Sequence, residues 1–158
     1  MAQNKIILGI DPGIADTGFG IVYQEGSRLA CLEYGSIKTS AKKELPARLL
    51  ELGTTLDALI KKHKPDVIAV EELYFCNNAK TALIVGQARG VVLYVAMQHN
   101  LPLKNFTPLQ VKQAVSAYGK ADKQQVQRMV KMILGLKEIP KPDDAADALA
   151  VAICGANN

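Results

Sequence analysis

The sequence predicts an α/β domain in which a mixed five-stranded sheet is flanked by helices. Three closely spaced apolar runs open the chain, and turn residues separate them. Two shorter apolar runs follow, and these alternate with segments of helical periodicity. The chain has 158 residues, of which 49% are hydrophobic, enough to build one sizeable core. We therefore predict a single domain over residues 1–158.

The first three predicted strands form an antiparallel meander. They cover residues 5–10, 18–23 and 29–37, and the connections between them are short and contain glycine and other turn residues. Short connections of this kind are typical of hairpins, in which neighbouring strands run in opposite directions.

After the meander, helices and strands alternate along the chain. Leucines at helical spacing predict a helix over 45–62, which Pro65 ends. Residues 66–71 should then form a strand parallel to the first, and residues 103–106 a fifth strand. Three further helices are predicted: from Asn77 or Asn78 to about His99, from the Thr107-Pro108 pair to about Ala117, and from Gln124 to Leu134. A last helix, rich in alanine, carries aspartates near position 144.

Four carboxylates lie at three separate places in this predicted fold. Asp11 ends the first strand, Glu71 ends the fourth, and Asp144 and Asp147 lie near the start of the last helix. An ionised acid at the end of a buried strand is costly, so acids at two strand ends and one helix face indicate convergence on divalent cations. Carboxylate oxygens suit Mg²⁺ or Mn²⁺, and such a cluster is typical of a two-metal phosphodiesterase site.

Two of these acids have competitors nearby in the sequence. Glu71 and Glu72 point to opposite faces of a strand, so only one of them can join the acid of the first strand, and periodicity does not choose between them. Asp143 lies four residues before Asp147 and satisfies the same helical geometry as Asp144. We expect Asp143 to cap the last helix instead.

Charge and composition narrow the class of partner. The formal net charge is +4, but leaving out the four proposed site acids leaves 11 acidic against 19 basic residues, a net charge of +8. A metal-loaded protein would therefore present a basic surface, as a polyanion binder does. No run of apolar residues reaches the roughly 18–20 needed to span a membrane. With no signal-peptide pattern and three cysteines that form no CxxC pair, we expect a cytoplasmic protein without a membrane partner.

Five segments form an ordered set of motifs along the chain. They are GIDPG at 9–13, TGFGIV at 17–22, AVEE at 69–72, NNAKTALIVGQARGV at 77–91 and DAADALAVAI at 144–153. In this combination and order, the set resembles the RuvC family of Holliday-junction resolvases over nearly the whole chain. By position, the family's catalytic and metal-binding acids fall on Asp11, Glu71, Asp144 and Asp147. The resemblance therefore favours Glu71 over its neighbour Glu72.

The resemblance carries expectations about activity and assembly. It implies a ribonuclease-H-like fold and a homodimer that nicks four-way DNA junctions symmetrically, leaving 5′-phosphate and 3′-hydroxyl ends. Two Mg²⁺ per subunit, or Mn²⁺ in their place, would be the cofactors. The implied setting is recombination and DNA repair in the bacterial cytoplasm, beside a branch-migration motor complex of the RuvA and RuvB type.

The resemblance also implies which residues contact DNA. In the family an aromatic residue after the catalytic glutamate stacks on a base at the junction; Tyr74 aligns with it and Phe75 is next in line. The alternative is that one or both pack beneath the following helix. Four basic residues are predicted phosphate contacts: Arg89, Lys112, Lys120 and Lys123. Of these, Lys112 and Lys123 match lysines that the family uses for DNA binding and catalysis.

Small residues recur every four positions in the long helix after the fourth strand. Ala82, Gly86 and Gly90 form this stripe, and a glycine inside a soluble helix costs about 1 kcal/mol relative to alanine. Close approach of another backbone would offset that cost. The resemblance places the stripe at the dimer interface, and packing against the protein's own sheet is the alternative.

Other functions compete with the resolvase hypothesis. The GIDPG segment with Thr17-Gly18 is also similar to the first phosphate loop of actin-like ATPases and sugar kinases, but this chain lacks the second domain that they need. A ribonuclease-H-fold nuclease that acts on RNA is the main enzymatic rival, and the segment at 77–91 argues against it. A non-catalytic junction-binding module is the third hypothesis; such a binder would gain nothing from acids beside phosphates.

Overall fold

A five-stranded mixed sheet runs through the computed structural model, which describes residues 3–72 and 78–158. The strands are β1 (Lys5–Asp11), β2 (Asp16–Glu25), β3 (Arg28–Lys38), β4 (Val67–Glu71) and β5 (Leu103–Phe106). They lie in the order β3-β2-β1-β4-β5. β1, β2 and β3 pair antiparallel, whereas β4 pairs parallel to β1 and β5 parallel to β4. The predicted meander and the parallel fourth strand are confirmed.

Five helices of the described residues surround the sheet. They are α1 (Leu45–His63), α2 (Ala79–Gln98), α3 (Pro108–Ser116), α4 (Lys123–Ile133) and α5 (Asp143–Asn157). Side chains that accept backbone hydrogen bonds fix the starts of three of them. Asn78 caps α2, while Thr107 and Asp122 form capping boxes at α3 and α4. The other predicted cap of α2, Asn77, lies outside the described residues.

Apolar side chains of the sheet build a core on each face. Alternating residues of β1 point to opposite faces, so Ile7 packs with α3, α4 and α5, whereas Leu8 and Ile10 pack with α1 and α2. The alanine-rich helix α5 is almost wholly buried from Ala148 onward. Its acids lie at the N-terminal end of the helix, which reaches the surface.

Two glycines allow α5 to approach the sheet closely. A Cβ atom on Gly9 of β1 would lie 2.2 Å from the carbonyl oxygen of Ala148, and one on Gly18 of β2 would lie 2.0 Å from that of Asp144. Real Cβ atoms do not come so near to backbone atoms, so any other residue here would push the helix away. These contacts set the distance between the first turns of α5 and the strands β1 and β2.

The long helix α2 has one buried and one exposed apolar face. Ala88, Val92 and Ala96 are fully buried, but Leu83 and Tyr94 are each 65% exposed. By length and mean hydropathy α2 is apolar enough to cross a membrane, although Lys80, Gln87 and Arg89 interrupt it, so it is not an uninterrupted apolar run. Core helices of soluble proteins pass the same test.

The stripe of small residues on α2 does not pack against the protein's own sheet. A Cβ atom at Gly86 or Gly90 would meet no heavy atom of the described residues within 4 Å, apart from the backbone of the helix itself. Ala82, one turn earlier, is half-buried. Intramolecular packing, the alternative considered for this stripe, is therefore wrong for both glycines.

Candidate active site

The first acid of the site is held at the end of β1. Asp11 is the last residue of that strand and lies opposite Gly18 of β2. The turn beyond it is tied by Thr17, whose buried hydroxyl donates a hydrogen bond to the carbonyl of Gly13 and accepts one from its N–H. This contact closes the turn and fixes the direction in which the Asp11 carboxylate leaves the sheet.

Helix α5 brings two further acids to the same place. Asp144 and Asp147 lie one turn apart on its exposed end, and both are half-buried. One carboxylate oxygen from each of them and one from Asp11 all lie within 4.8 Å of one another. Residues that are more than 130 positions apart in the sequence therefore meet in a group of three carboxylates.

The fourth acid lies beside this group on the neighbouring strand. Glu71 ends β4, which pairs with β1 up to Ile10, and its charge raises the pKa of Asp11. It borders the same cleft as Asp147. Glu72 points to the other face of the sheet, where it borders an opening lined by residues of α2 and β5. The structure thus brings Glu71, and not Glu72, to the other acids.

Burial and the charges of neighbouring acids make Asp11, Glu71 and Asp147 harder to ionise than free carboxyl groups. Burial, together with the charges of Glu71, Asp147 and Asp144, raises the pKa of Asp11 to about 8. Burial also raises the pKa values of Glu71 and Asp147. Clustered carboxylates with raised pKa values and hard oxygen donors are what a divalent cation stabilises best. The donor set therefore fits Mg²⁺ or Mn²⁺.

A cleft of about 290 Å³ opens beside the acids. Two lysines lie on its rim with the acids, and the rest of its wall is mainly apolar. Its lining comprises Glu71, Pro108, Val111, Lys112, Ala121, Asp122, Lys123, Val126, Asp147 and Ala150. An anion in the cleft would be attracted by the cationic groups of Lys112 on α3 and Lys123 on α4, beside the carboxylates.

Asp143 does not cap α5, contrary to our expectation. Pro142 occupies the N-cap position, and no side chain accepts a hydrogen bond there. Asp143 is the first helical residue, and its carboxylate turns instead toward α4. One of its oxygens lies 3.4 Å from Nζ of Lys123, and the other accepts a 3.3 Å hydrogen bond from Nε2 of Gln127.

The remaining predicted DNA contacts are dispersed. Lys112 and Lys123 border the cleft, and Lys120 is exposed on the loop between α3 and α4, without an ion pair to any described residue. Arg89 donates a hydrogen bond to Oδ1 of Asn105 on the opposite face of the sheet from Glu71. Tyr74 and Phe75 lie outside the described residues.

The comparisons with known proteins give the family. The family model described as crossover junction endodeoxyribonuclease RuvC matches residues 7–155. The chain belongs to the RuvC family. The RuvC of Caldicellulosiruptor saccharolyticus is 54% identical over an alignment that covers 94% of this chain and 90% of that protein. The RuvC of Desulfitobacterium hafniense is 56% identical, with 97% and 93% covered.

A solved RuvC structure supports the same placement. The RuvC of Thermus thermophilus in complex with a Holliday junction substrate matches with a TM-score of 0.91 and 37% identity, covering 96% of this chain and 93% of that one. The predicted family and its ribonuclease-H-like fold are confirmed. Sequence reasoning did not identify the positions of Thr17 and Gly18 as supports of the RuvC site, although both lie in the TGFGIV motif.

Proposed function

We propose that this RuvC-family protein is a crossover junction endodeoxyribonuclease that resolves four-way DNA junctions. The observation that carries the proposal is the meeting of Asp11, Asp144 and Asp147 within 4.8 Å, with Glu71 at the adjoining cleft. Support also comes from the Thermus thermophilus relative, whose structure holds a Holliday junction substrate. The role belongs to DNA recombination and repair, and residues 1–158 would act as one nuclease domain.

The four carboxylates would hold two Mg²⁺ per subunit, and Mn²⁺ would serve in their place. Bound cations of this kind activate a water molecule and stabilise the negative charge on the leaving 3′-oxygen. The chain's own part begins with Asp11, whose carboxyl must lose a proton before it can act as a ligand. Cleavage in this way yields 5′-phosphate and 3′-hydroxyl ends.

The two lysines on the rim would bind the backbone of the DNA. Lys112 lies near enough to Glu71 to lower its pKa, and Lys123 does the same for Asp147. A phosphate drawn to these ammonium groups would be held against the acids without a contact to any base. Lys120 and Arg89 would contribute farther along the strand, and Tyr74 or Phe75 would stack on a base at the crossover.

A homodimer would supply the two cuts that resolution needs. The exposed face of α2 carries Leu83 and Tyr94, and beside them Gly86 and Gly90 leave room for another backbone. A second copy packed on this face, with Ala82 in the contact, would bury both features. A two-fold axis there would aim two identical sites at two symmetry-related strands.

The cellular setting follows from the family. We place the protein in the bacterial cytoplasm, because the sequence relatives named above are bacterial and the described cysteines, Cys31 and Cys154, are free thiols. A branch-migration motor complex of the RuvA and RuvB type would present the junction to it.

Three labelled substrates test the proposed function. A four-way junction, a linear duplex of the same sequence and an RNA–DNA hybrid are each incubated with the protein, with and without Mg²⁺. We expect paired nicks on the junction alone, only with Mg²⁺, and ends that ligase can seal. Asp11→Asn should abolish the nicks and still bind the junction.

The other outcomes separate the competing functions. Equal cutting of the hybrid would favour the RNA-directed nuclease. Tight junction binding by the unmodified protein, with no cutting in the presence of Mg²⁺, would favour the non-catalytic module.

A further inference from the structure

Lys123 lies between an acid of the metal group and one outside it. Its Nζ is 3.8 Å from Oδ2 of Asp147 and 3.4 Å from Oδ2 of Asp143. The side chain of Lys123 is 57% exposed, so packing alone does not hold it in place. A long, exposed lysine side chain samples many rotamers, so an ion pair is needed to restrict its conformation.

Asp143 is itself held in position by a buried residue. Gln127 follows Lys123 by one turn of α4 and is only 8% exposed, and its Nε2 donates to Oδ1 of Asp143. That oxygen also lies 3.6 Å from Nζ of Lys141. With Oδ1 engaged in this way, Oδ2 of Asp143 is directed at Lys123. The first turn of α5 and the first turn of α4 are thereby joined through one carboxylate.

The two acids respond differently when cations enter the site. Asp147 belongs to the group of three carboxylates and Asp143 does not. A divalent cation on Asp147 would cancel the charge that attracts Lys123 and would repel the ammonium group. Asp143 would retain its full charge, at a shorter distance than Asp147.

We propose that Asp143 is a positioning residue, which keeps Lys123 at the edge of the loaded site so that its ammonium group meets the scissile phosphate. The proposal rests on the nuclease function given above. Asp143 acts through Lys123 and touches neither the DNA nor the cations.

Kinetics of matched variants test this role. Asp143→Asn removes the charge and keeps the shape, Asp143→Glu keeps the charge, and Glu138→Gln removes one charge at an exposed position with no ion pair among the described residues. On the junction with Mg²⁺, we expect Asp143→Asn to lower kcat about two- to fivefold, as for a partly exposed ion pair, with KM unchanged. Asp143→Glu should retain most of the parent's kcat, and Glu138→Gln should leave kcat unchanged.

A double-variant cycle identifies the partner. If Asp143 acts through Lys123, Asp143→Asn should lower kcat no further in a Lys123→Met background. Independent, multiplicative losses would overturn the proposal. So would an effect of Asp143→Asn on KM and junction affinity alone, which would show a general electrostatic contribution.

A measurement without cleavage separates this inference from the nuclease assignment. In Mg²⁺-loaded protein without DNA, the rate at which an amine-acylating reagent modifies each lysine is followed by mass spectrometry. Ion pairing protects an amine, so Lys123 should react more slowly than Lys120, which forms no ion pair with a described residue. Asp143→Asn should raise the reaction rate of Lys123 toward that of Lys120. Equal reaction rates for Lys123 in the parent and in Asp143→Asn would refute the positioning of Lys123 by Asp143. If Lys123 is protected in the parent but the parent cuts no junction, the nuclease function is refuted and the positioning of Lys123 by Asp143 still holds.

Discussion

Asp11 is the residue at which burial and charge act together most strongly. Its pKa is raised to about 8, so in the metal-free protein it is mostly protonated at neutral pH. A cation must displace that proton, and cation affinity should therefore rise as the pH increases from 6 to 8. Isothermal titration with Mg²⁺ across this range measures the effect, and proton release should be detected below pH 8. Affinity that does not change with pH would contradict the raised pKa.

The same pKa affects the stability of the metal-free protein. An acid whose folded pKa lies above its unfolded value holds its proton more tightly when folded, so this contribution to stability is lost as the pH rises toward 8. Asp11→Asn removes the titrating group. Without metal, the variant should melt at a higher temperature than the parent, and the difference should grow from pH 5 to about pH 8 and then level off. Saturating Mg²⁺ should reverse the order, because only the parent has the full ligand set.

Gly18 is the residue at which a single methyl group would disturb both fold and site. A Cβ there would lie 2.0 Å from the carbonyl oxygen of Asp144, which is backbone and cannot turn away. We expect Gly18→Ala to cost about 1–3 kcal/mol of unfolding free energy or more, and to weaken cation binding by displacing Asp144. Denaturant unfolding and Mg²⁺ titration measure the two effects.

Gly53 offers a matched control for that substitution. A Cβ on this residue of α1 would meet two side-chain methyl groups and no backbone atom: Cγ1 of Val91 at 3.1 Å and Cγ2 of Val95 at 3.7 Å. Gly53→Ala should be neutral or stabilising by up to about 1 kcal/mol, because alanine favours a helix.

The sequence was sufficient to find the acids but not their supports. Asp11 and Glu71 follow apolar strands, and this local pattern predicts a carboxylate at a strand end. The roles of Gly18 and Asp143 depend on how closely α5 packs on β2 and α4, which no local pattern encodes. The capping role predicted for Asp143 was wrong for that reason: Lys123 and Gln127, distant in sequence, attract its carboxylate.

At the scale of elements, an ion-paired cluster joins α1 to the edge strand β3. The carboxylate of Glu33 on β3 accepts a 2.8 Å hydrogen bond from Nζ of Lys62 and also pairs with His63. Hydrogen bonds from these two residues lower the pKa of Glu33, so its stabilising effect is present at neutral pH and is lost as the pH falls through that lowered pKa. Because the pair is partly exposed, Glu33→Gln should cost less than about 1 kcal/mol at pH 7.

The pH dependence of Glu33→Gln makes this prediction specific. Thermal unfolding at pH 7 should show the variant melting below the parent, and the two should converge in acid, where Glu33 is protonated. A difference that does not shrink as the pH falls would point to lost packing instead of lost charge.

Most element positions could be predicted from the sequence, for identifiable reasons. The Thr107 and Asp122 capping boxes mark the starts of α3 and α4 locally, and β5 was predicted with its observed bounds. β2 is longer than predicted, running over Asp16–Glu25, because pairing with strands on both sides extends it beyond its apolar run. Tertiary pairing of this kind leaves no mark in local periodicity.

At the scale of the whole molecule, the exposed face of α2 should control assembly. Leu83 is 65% exposed at the face proposed for the dimer, and Leu109 on α3 is 54% exposed elsewhere. We expect Leu83→Asp to dissociate the dimer, since burying an unpaired charge in an interface is costly. Leu109→Asp, the matched control, should leave the dimer intact. Sedimentation equilibrium measures the mass of each.

Cleavage by the dissociated variant gives a second readout. A monomer carries one site, so Leu83→Asp should make single, uncoordinated nicks and should lose paired incisions. If the parent has the mass of a dimer, an unchanged mass for Leu83→Asp would place the contact between subunits elsewhere; a monomeric parent would contradict the proposed dimer.

The order of the chain has a consequence for when activity can first appear during synthesis. Two of the four acids lie on α5, which follows every strand in the sequence and packs on both β1 and β2. A nascent polypeptide that has emerged only as far as α4 therefore lacks half of the proposed metal ligands and much of one core. We expect such a fragment not to cut DNA, so that folding and cleavage would both require the fifteen-residue helix α5.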